Sequence, residues 1–222
     1  MTGSKKELAL QKILDTRLIP VFYHADAATC KSVVKACYEG GIRVFEFTNR
    51  GEKALENFTL LKDYVRQSFP GMLLGIGTIR DPATARQYMA AKADFIVSPI
   101  IQPAIAQLCQ EQDLLWIPGC MTPTEIDLAE RSGAKLVKLF PGNLLGPEYV
   151  NAIKALFPKL LFMPTGGVEP TAESIRQWLQ AGVVALGMGS KLITADILKT
   201  GGFPELKEKV ELMIGIIEGV SG

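Results

Sequence analysis

A single lysine interrupts the apolar run Leu136-Val137-Lys138-Leu139-Phe140. Burying an ammonium costs on the order of several kcal/mol unless it is paired or neutral. Desolvation favours the neutral amine, and a neutral amine is a nucleophile toward carbonyl carbon. Glu46 makes the same interruption in Val44-Phe45-Glu46-Phe47-Thr48. The two-residue period of a strand puts Val44, Glu46 and Thr48 on one face and Phe45 and Phe47 on the other. On the second run, Leu136, Lys138 and Phe140 share a face. Brought together, the two side chains offer an amine for carbonyl attack and a carboxylate for general acid–base work. The other reading is a buried ion pair that fixes geometry. Two further lysines compete for attention. Lys135, expected at the mouth of the same strand, reads as a solvated strand end, and Lys191, after Gly189-Ser190, reads as a surface or anion-binding group.

Two glycine-containing segments form a second constellation, Thr165-Gly166-Gly167 and Gly187-Met188-Gly189-Ser190. Glycines let backbone N–H groups approach an anion closely, and they also serve tight turns. Phosphate binding and plain turns are therefore both open. Arg50, two residues beyond Thr48, suits a carboxylate through bidentate pairing, or a surface ion pair with Glu52 or a neighbouring loop. His24 suits either anion binding or closure of the run before it.

The elements that must position these groups recur regularly. Short apolar runs end in Gly, Pro, Thr or Ser: Leu18–Tyr23, Arg43–Thr48, Met72–Thr78, Phe95–Pro99, Leu115–Gly119, Leu136–Pro141, Leu161–Gly166 and Val184–Gly189. They are too short for helices and rich in Val, Ile, Leu and Phe, as in strands buried on both faces of a parallel sheet. Amphipathic stretches separate and follow them, at about 27–39, 52–68, 82–91, 103–112, 123–132, 147–156, 171–181 and 204–218. Asp81-Pro82, Thr122-Pro123-Thr124-Glu125 and Thr171 before Ser174 mark helix starts. Eight βα units close most simply into a (β/α)8 barrel. An open doubly wound sheet is disfavoured because no G-x-G-x-x-G loop follows the first run. A further N-terminal helix, about residues 4–15, precedes the barrel and is placed to cap its bottom. The reading is one domain over residues 1–222, with function at the C-terminal ends of the strands.

Composition narrows the classes. The chain of 222 residues is 48% hydrophobic and 21% charged, which excludes disorder. With 24 Lys plus Arg against 23 Asp plus Glu, the net charge is +1 and gives no reason to expect a nucleic-acid partner. No apolar run reaches the ~18–20 residues of a membrane span, and Met1–Lys12 lacks the apolar stretch of a signal peptide. Cys30, Cys37, Cys109 and Cys120 include no Cys-x-x-Cys pair, and His24 is the single histidine. The cysteines read as core residues of a reducing, cytoplasmic compartment, and no metal site is expected.

Taken in order, several segments resemble one family, the 2-keto-3-deoxy-6-phosphogluconate (KDPG) and 4-hydroxy-2-oxoglutarate (KHG) aldolases. They are Gly40-Gly41-Ile42-Arg43-Val44-Phe45-Glu46-Phe47-Thr48-Asn49-Arg50, Gly75-Ile76-Gly77-Thr78, Phe95-Ile96-Val97-Ser98-Pro99, Ile117-Pro118-Gly119-Cys120-Met121-Thr122-Pro123-Thr124-Glu125, Val137-Lys138-Leu139-Phe140-Pro141-Gly142, Pro164-Thr165-Gly166-Gly167-Val168 and Gly187-Met188-Gly189-Ser190. The resemblance implies a class I aldolase on a (β/α)8 TIM barrel, a homotrimer without cofactor or metal, acting on a small phosphorylated keto acid. It implies that Lys138 forms a Schiff base with the substrate C2 carbonyl and that Glu46 is the general acid/base. Arg50 and Thr78, with backbone around Ser98 and Pro99, would hold the pyruvyl carboxylate. Thr165 would meet the hydroxylated middle of the substrate, and Gly166, Gly167, Gly189 and Ser190 its phosphate. The sequence departs from many relatives in carrying Ile100 after Ser98-Pro99, where they have glycine, and His24, where they have Arg or Lys.

Overall fold

The computed structural model describes residues 3–220. Met1, Thr2, Ser221 and Gly222, which the 1–222 domain reading included, lie outside the described residues. After helix α1 (Lys5–Thr16), strands and helices alternate: β1 (Leu18–Phe22), α2 (Ala27–Glu39), β2 (Val44–Thr48), α3 (Ala54–Ser68), β3 (Leu73–Gly77), α4 (Pro82–Ala90), β4 (Phe95–Val97), α5 (Pro103–Glu111) and β5 (Leu115–Ile117). Then come β6 (Gly119–Cys120), α6 (Pro123–Arg131), β7 (Leu136–Leu139), α7 (Gly142–Lys154), β8 (Leu161–Pro164), α8 (Ala172–Gln180), β9 (Leu186–Met188), α9 (Ala195–Thr200) and α10 (Phe203–Val220).

All strand pairs are parallel, in the orders β5-β4-β3-β2-β1-β9 and β6-β7-β8. Two joins link the groups into a barrel. On one side β5 and β6 are successive halves of one strand interrupted at Pro118, whose carbonyl accepts from Lys138 N at 2.8 Å. Proline has no N–H to give a ladder, so regular pairing stops there. On the other side Thr165 bridges Gly187, and Val184 N donates to Phe162 O at 3.0 Å. The eight expected strands are thus present, the fifth of them broken.

Alternation along the strands sorts residues between two cores. Phe45, Phe47, Ile96, Val137, Leu139 and Phe162 belong to the outer layer against the helices. Ile19, Val44, Phe95, Val97, Leu115, Ile117, Leu136 and Met163 fill the barrel interior. Ala9 and Ile13 of α1 join that interior cluster, so α1 seals the N-terminal end of the barrel. Its start is fixed by a capping box between Ser4 and Glu7.

The predicted helix starts hold: Asp81, Thr122 and Thr171 each accept from the backbone N–H three residues on. Two stretches differ from the sequence reading. Helix α7 begins at Gly142 rather than near 147 and bends at Gly146, where φ is 73° just ahead of Pro147. Helix α9, only 6 residues long, was hidden between Lys191 and α10, because so short a segment shows no resolvable period.

Candidate active site

Glu46 and Lys138 meet inside the barrel. Lys138 Nζ lies 3.6 Å from Glu46 Oε1, with the two residues 5% and 0% exposed. Each arrives there by strand alternation: Phe45 and Phe47 anchor β2 outward, Val137 and Leu139 anchor β7 outward, and the residues between turn in. Neither Glu46 oxygen has a hydrogen-bond donor among the described residues. At 3.6 Å the ammonium is a close counter-charge beyond ordinary hydrogen-bond length. The carboxylate therefore keeps its accepting capacity for a group entering the barrel. Lys138 Nζ also sits 5.2 Å from the centroid of the Phe140 ring, an apolar wall on its mouth side.

Space for the pair comes from glycines on β3. Gly75 and Gly77 both face inward; a Cβ on Gly77 would collide with the Glu46 carboxylate, and one on Gly75 with the Phe95 ring. Beyond Gly77 the chain turns at Thr78, whose φ of 64° puts a β-branched residue in the left-handed region. Such a conformation costs on the order of 1–2 kcal/mol and marks a backbone held by its surroundings. Arg50 lies just past β2, exposed and without an ionic partner among the described residues, so the alternative of a surface ion pair with Glu52 or a neighbouring loop does not form.

Thr165 is buried at the mouth end of β8, and its Oγ1 has no hydrogen-bond partner among the described residues. The hydroxyl stands over Gly187, where an added Cβ would lie 2.5 Å from it. Gly166 and Gly167, with φ of 82° and 73°, form an exposed loop that packs on the start of α7; Gly142 N donates to Thr165 O at 2.9 Å. Gly189 and Ser190 open the turn after β9, whose Leu192 and Ile193 N–H groups return to Gly189 O at 2.9 and 3.0 Å. Lys191 pairs with Glu169 at 3.0 Å, tying the two glycine loops side by side at the surface and far from the role of a buried amine. Lys135 is exposed as expected but lies at the opposite, N-terminal end of β7 and not at its mouth, because it precedes Leu136, where the strand begins.

Ser98 is placed differently from the other mouth residues. Its side chain points into the outer layer, where its Oγ accepts from Trp116 Nε1 at 3.1 Å, and its N–H is used by Ile117 O at 3.0 Å. Pro99 has no N–H. Together they shape the wall, with Gly119 packed so tightly on the Pro99 carbonyl that no side chain fits there. His24 is half-buried past β1, its Nδ1 accepting from Asp26 N at 3.1 Å. Asn57 escaped the sequence reading. It is buried on α3, and its Nδ2 donates to the carbonyls of His24 and Ala25 at 3.1 and 2.9 Å, holding the loop after β1. A polar residue on a buried helix face was its one signal, too weak to name a role.

Among the described residues no helix is long and apolar enough to cross a membrane, and no group of three or more His, Cys, Asp or Glu is arranged to hold a metal ion.

A parallel barrel with an amine and a carboxylate buried together inside it is architecture suited to carbonyl chemistry, and the curated relatives of the chain are named as aldolases. A family model described as "Aldolase: KDPG and KHG aldolase" matches residues 10–209. The chain belongs to that family and is an aldolase. It is 32% identical over 216 residues to the 2-dehydro-3-deoxy-phosphogluconate aldolase of Haemophilus influenzae, covering 94% of this chain and 96% of that protein. It is 34% identical over 124 residues to the 2-dehydro-3-deoxy-6-phosphogalactonate aldolase of Escherichia coli K12, covering 55% of this chain and 60% of that one. Among solved structures, the 4-hydroxy-2-oxoglutarate aldolase/2-deydro-3-deoxyphosphogluconate aldolase from TTHB1 superposes with a TM-score of 0.77 at 29% identity, over 94% of this chain and 98% of that one.

Proposed function

We propose that the protein is a class I aldolase that cleaves 2-keto-3-deoxy-6-phosphogluconate to pyruvate and glyceraldehyde 3-phosphate. The observation that carries this reading is the buried approach of Lys138 Nζ to Glu46 Oε1 at 3.6 Å inside the barrel. The amine of Lys138 adds to the C2 carbonyl, and loss of water gives a protonated Schiff base. Glu46 takes the proton from the C4 hydroxyl through a water; the C3–C4 bond breaks, and its electron pair moves into the C2–nitrogen system as an enamine. The C4 oxygen becomes the carbonyl of the departing aldehyde. Glu46 then returns a proton to C3, and hydrolysis releases pyruvate and the free amine.

The remaining groups divide the substrate by chemistry. The unpaired guanidinium of Arg50 and the strained turn at Thr78 suit the carboxylate end. The open hydroxyl of Thr165 suits the hydroxylated carbons. Gly166, Gly167, Gly189 and Ser190, on adjoining loops after the last two barrel strands, suit the phosphate, as that position does in many barrels. Backbone around Ser98 and Pro99 adjoins the carboxylate end in this reading, through groups other than the Ser98 N–H, which already donates to Ile117 O at 3.0 Å. The chain works as a cytoplasmic homotrimer in this reading, in keeping with its four buried free thiols.

Two other substrates belong to the same chemistry, the galactonate epimer and 4-hydroxy-2-oxoglutarate. The Escherichia coli relative named for the phosphogalactonate substrate keeps the epimer as the second reading. Pyruvate release from each of the three compounds, measured as kcat/KM with and without Lys138→Ala, tests the proposal. Highest kcat/KM on the gluconate compound, abolished by Lys138→Ala, supports it. Preference for either other compound reassigns the substrate, and turnover surviving Lys138→Ala overturns the mechanism. A non-catalytic phosphosugar-binding barrel would turn over none of them.

A further inference from the structure

At the end of the barrel opposite Lys138, α1 seals the interior along a narrow stripe. Its buried residues are Ala9 and Ile13, while the neighbouring Leu8 is 59% exposed. Beside that stripe lies a cavity of about 530 Å³, bounded by α1, the start of β3, the α4–β4 connection and the segment before β5. That volume falls within the ~300–1,000 Å³ typical of small-molecule sites. Leu8, Leu73 and Met89 give its lining an apolar part, and Lys5, Lys12 and Lys92, exposed or half-buried, line its rim beside Asp94 and Gln112.

The rim charge is not cancelled locally. The carboxylate lining the cavity, Asp94, is engaged by the Lys62 ammonium and accepts from Leu74 N at 2.7 Å. Asp113 accepts from Lys5 N at 2.6 Å and lies 3.9 Å from Lys6 Nζ. Lys5, Lys12 and Lys92 themselves have no carboxylate within salt-bridge distance among the described residues. An apolar wall under three unpaired ammonium groups matches a ligand with a hydrocarbon body and an anionic head. A polyhydroxylated phosphosugar acid has no such body, so the cavity is not a second copy of the aldol site.

We propose that this cavity binds a small amphipathic organic anion, with its aromatic or aliphatic body against Leu8, Leu73 and Met89 and its acid group among Lys5, Lys12 and Lys92. The test is a fluorescence titration of the full chain with 8-anilinonaphthalene-1-sulfonate, alongside the uncharged N-phenyl-1-naphthylamine. The expected result is one saturable site per chain that prefers the sulfonate. Lys12→Glu with Lys92→Glu weakens it by about ten-fold or more, and Leu8→Ser, at an exposed position that leaves the fold intact, weakens it too. Arg50→Glu, at the other end of the barrel, leaves it unchanged. Absence of saturable binding, equal affinity for the uncharged probe, or sensitivity to Arg50→Glu in place of the lysine reversals overturns the proposal. Melting temperatures of the variants, read in parallel, separate lost binding from lost folding.

Discussion

The Glu46 carboxylate fills the space that a side chain at residue 77 would need: a Cβ on Gly77 would collide with it. The glycine at the end of β3 therefore positions the acid/base group on β2. Gly77→Ala forces Glu46 off its line to Lys138. The expected result is a fall in kcat of at least about ten-fold and a loss of about 1–3 kcal/mol of stability from overpacking. Aldol-cleavage kinetics and a denaturant melt check both; an unchanged kcat would mean that the carboxylate position is unimportant.

Glu46→Gln separates catalysis from architecture. The amide keeps the volume and can still accept a hydrogen bond, but it cannot move a proton. Turnover is expected to fall by about 10²–10⁴-fold while pyruvate binding persists. Equal losses of binding and turnover would instead make the pair a structural ion pair.

Thr78 holds a φ of 64° that glycine adopts without strain. Thr78→Gly is expected to leave stability within about 1 kcal/mol of the parent or slightly raise it, because strain relief offsets added chain entropy. KM for the keto acid should rise, since the turn loses its fixed shape. Thermal melts and steady-state kinetics on one preparation separate the two effects.

Burial raises the thiols of Cys30, to about 11, and Cys109, to about 12; Cys37 and Cys120 are also pushed up by burial. For Cys30 the nearby Asp26 charge adds to the rise, and the thiol donates to the His24 carbonyl at 3.3 Å. The unfolded chain, with thiols near 9.0, releases these protons first. The thiols thus contribute stability below pH 9 that is lost as pH climbs toward their folded values. Iodoacetamide at pH 8 should leave all four cysteines unmodified in the native protein and alkylate all four in denaturant, read by intact mass.

Much of this arrangement is written in strand alternation. Phe45 and Phe47 on either side of Glu46, and Val137 and Leu139 on either side of Lys138, oblige the two polar residues to face the interior once the sheet closes. That closure follows from the repeated βα rhythm. Tertiary context decides the rest. The period-two rule sends Ser98 outward, but only the approach of Trp116 from the neighbouring strand shows that its hydroxyl is engaged there. The break at Pro118 was invisible because an apolar run reads the same with or without a skipped ladder bond. The lining of the α1 cavity comes from four separate segments, and no linear pattern marks it.

The central claim is that Lys138 is the amine that bonds to substrate carbon. Incubating the protein with pyruvate and sodium borohydride reduces any Schiff base to a stable secondary amine, and peptide mass spectrometry locates it. One Nε-(1-carboxyethyl) adduct per chain is expected, on Lys138, and absent from Lys138→Ala. No adduct, or an adduct on Lys191 or any other lysine, contradicts it.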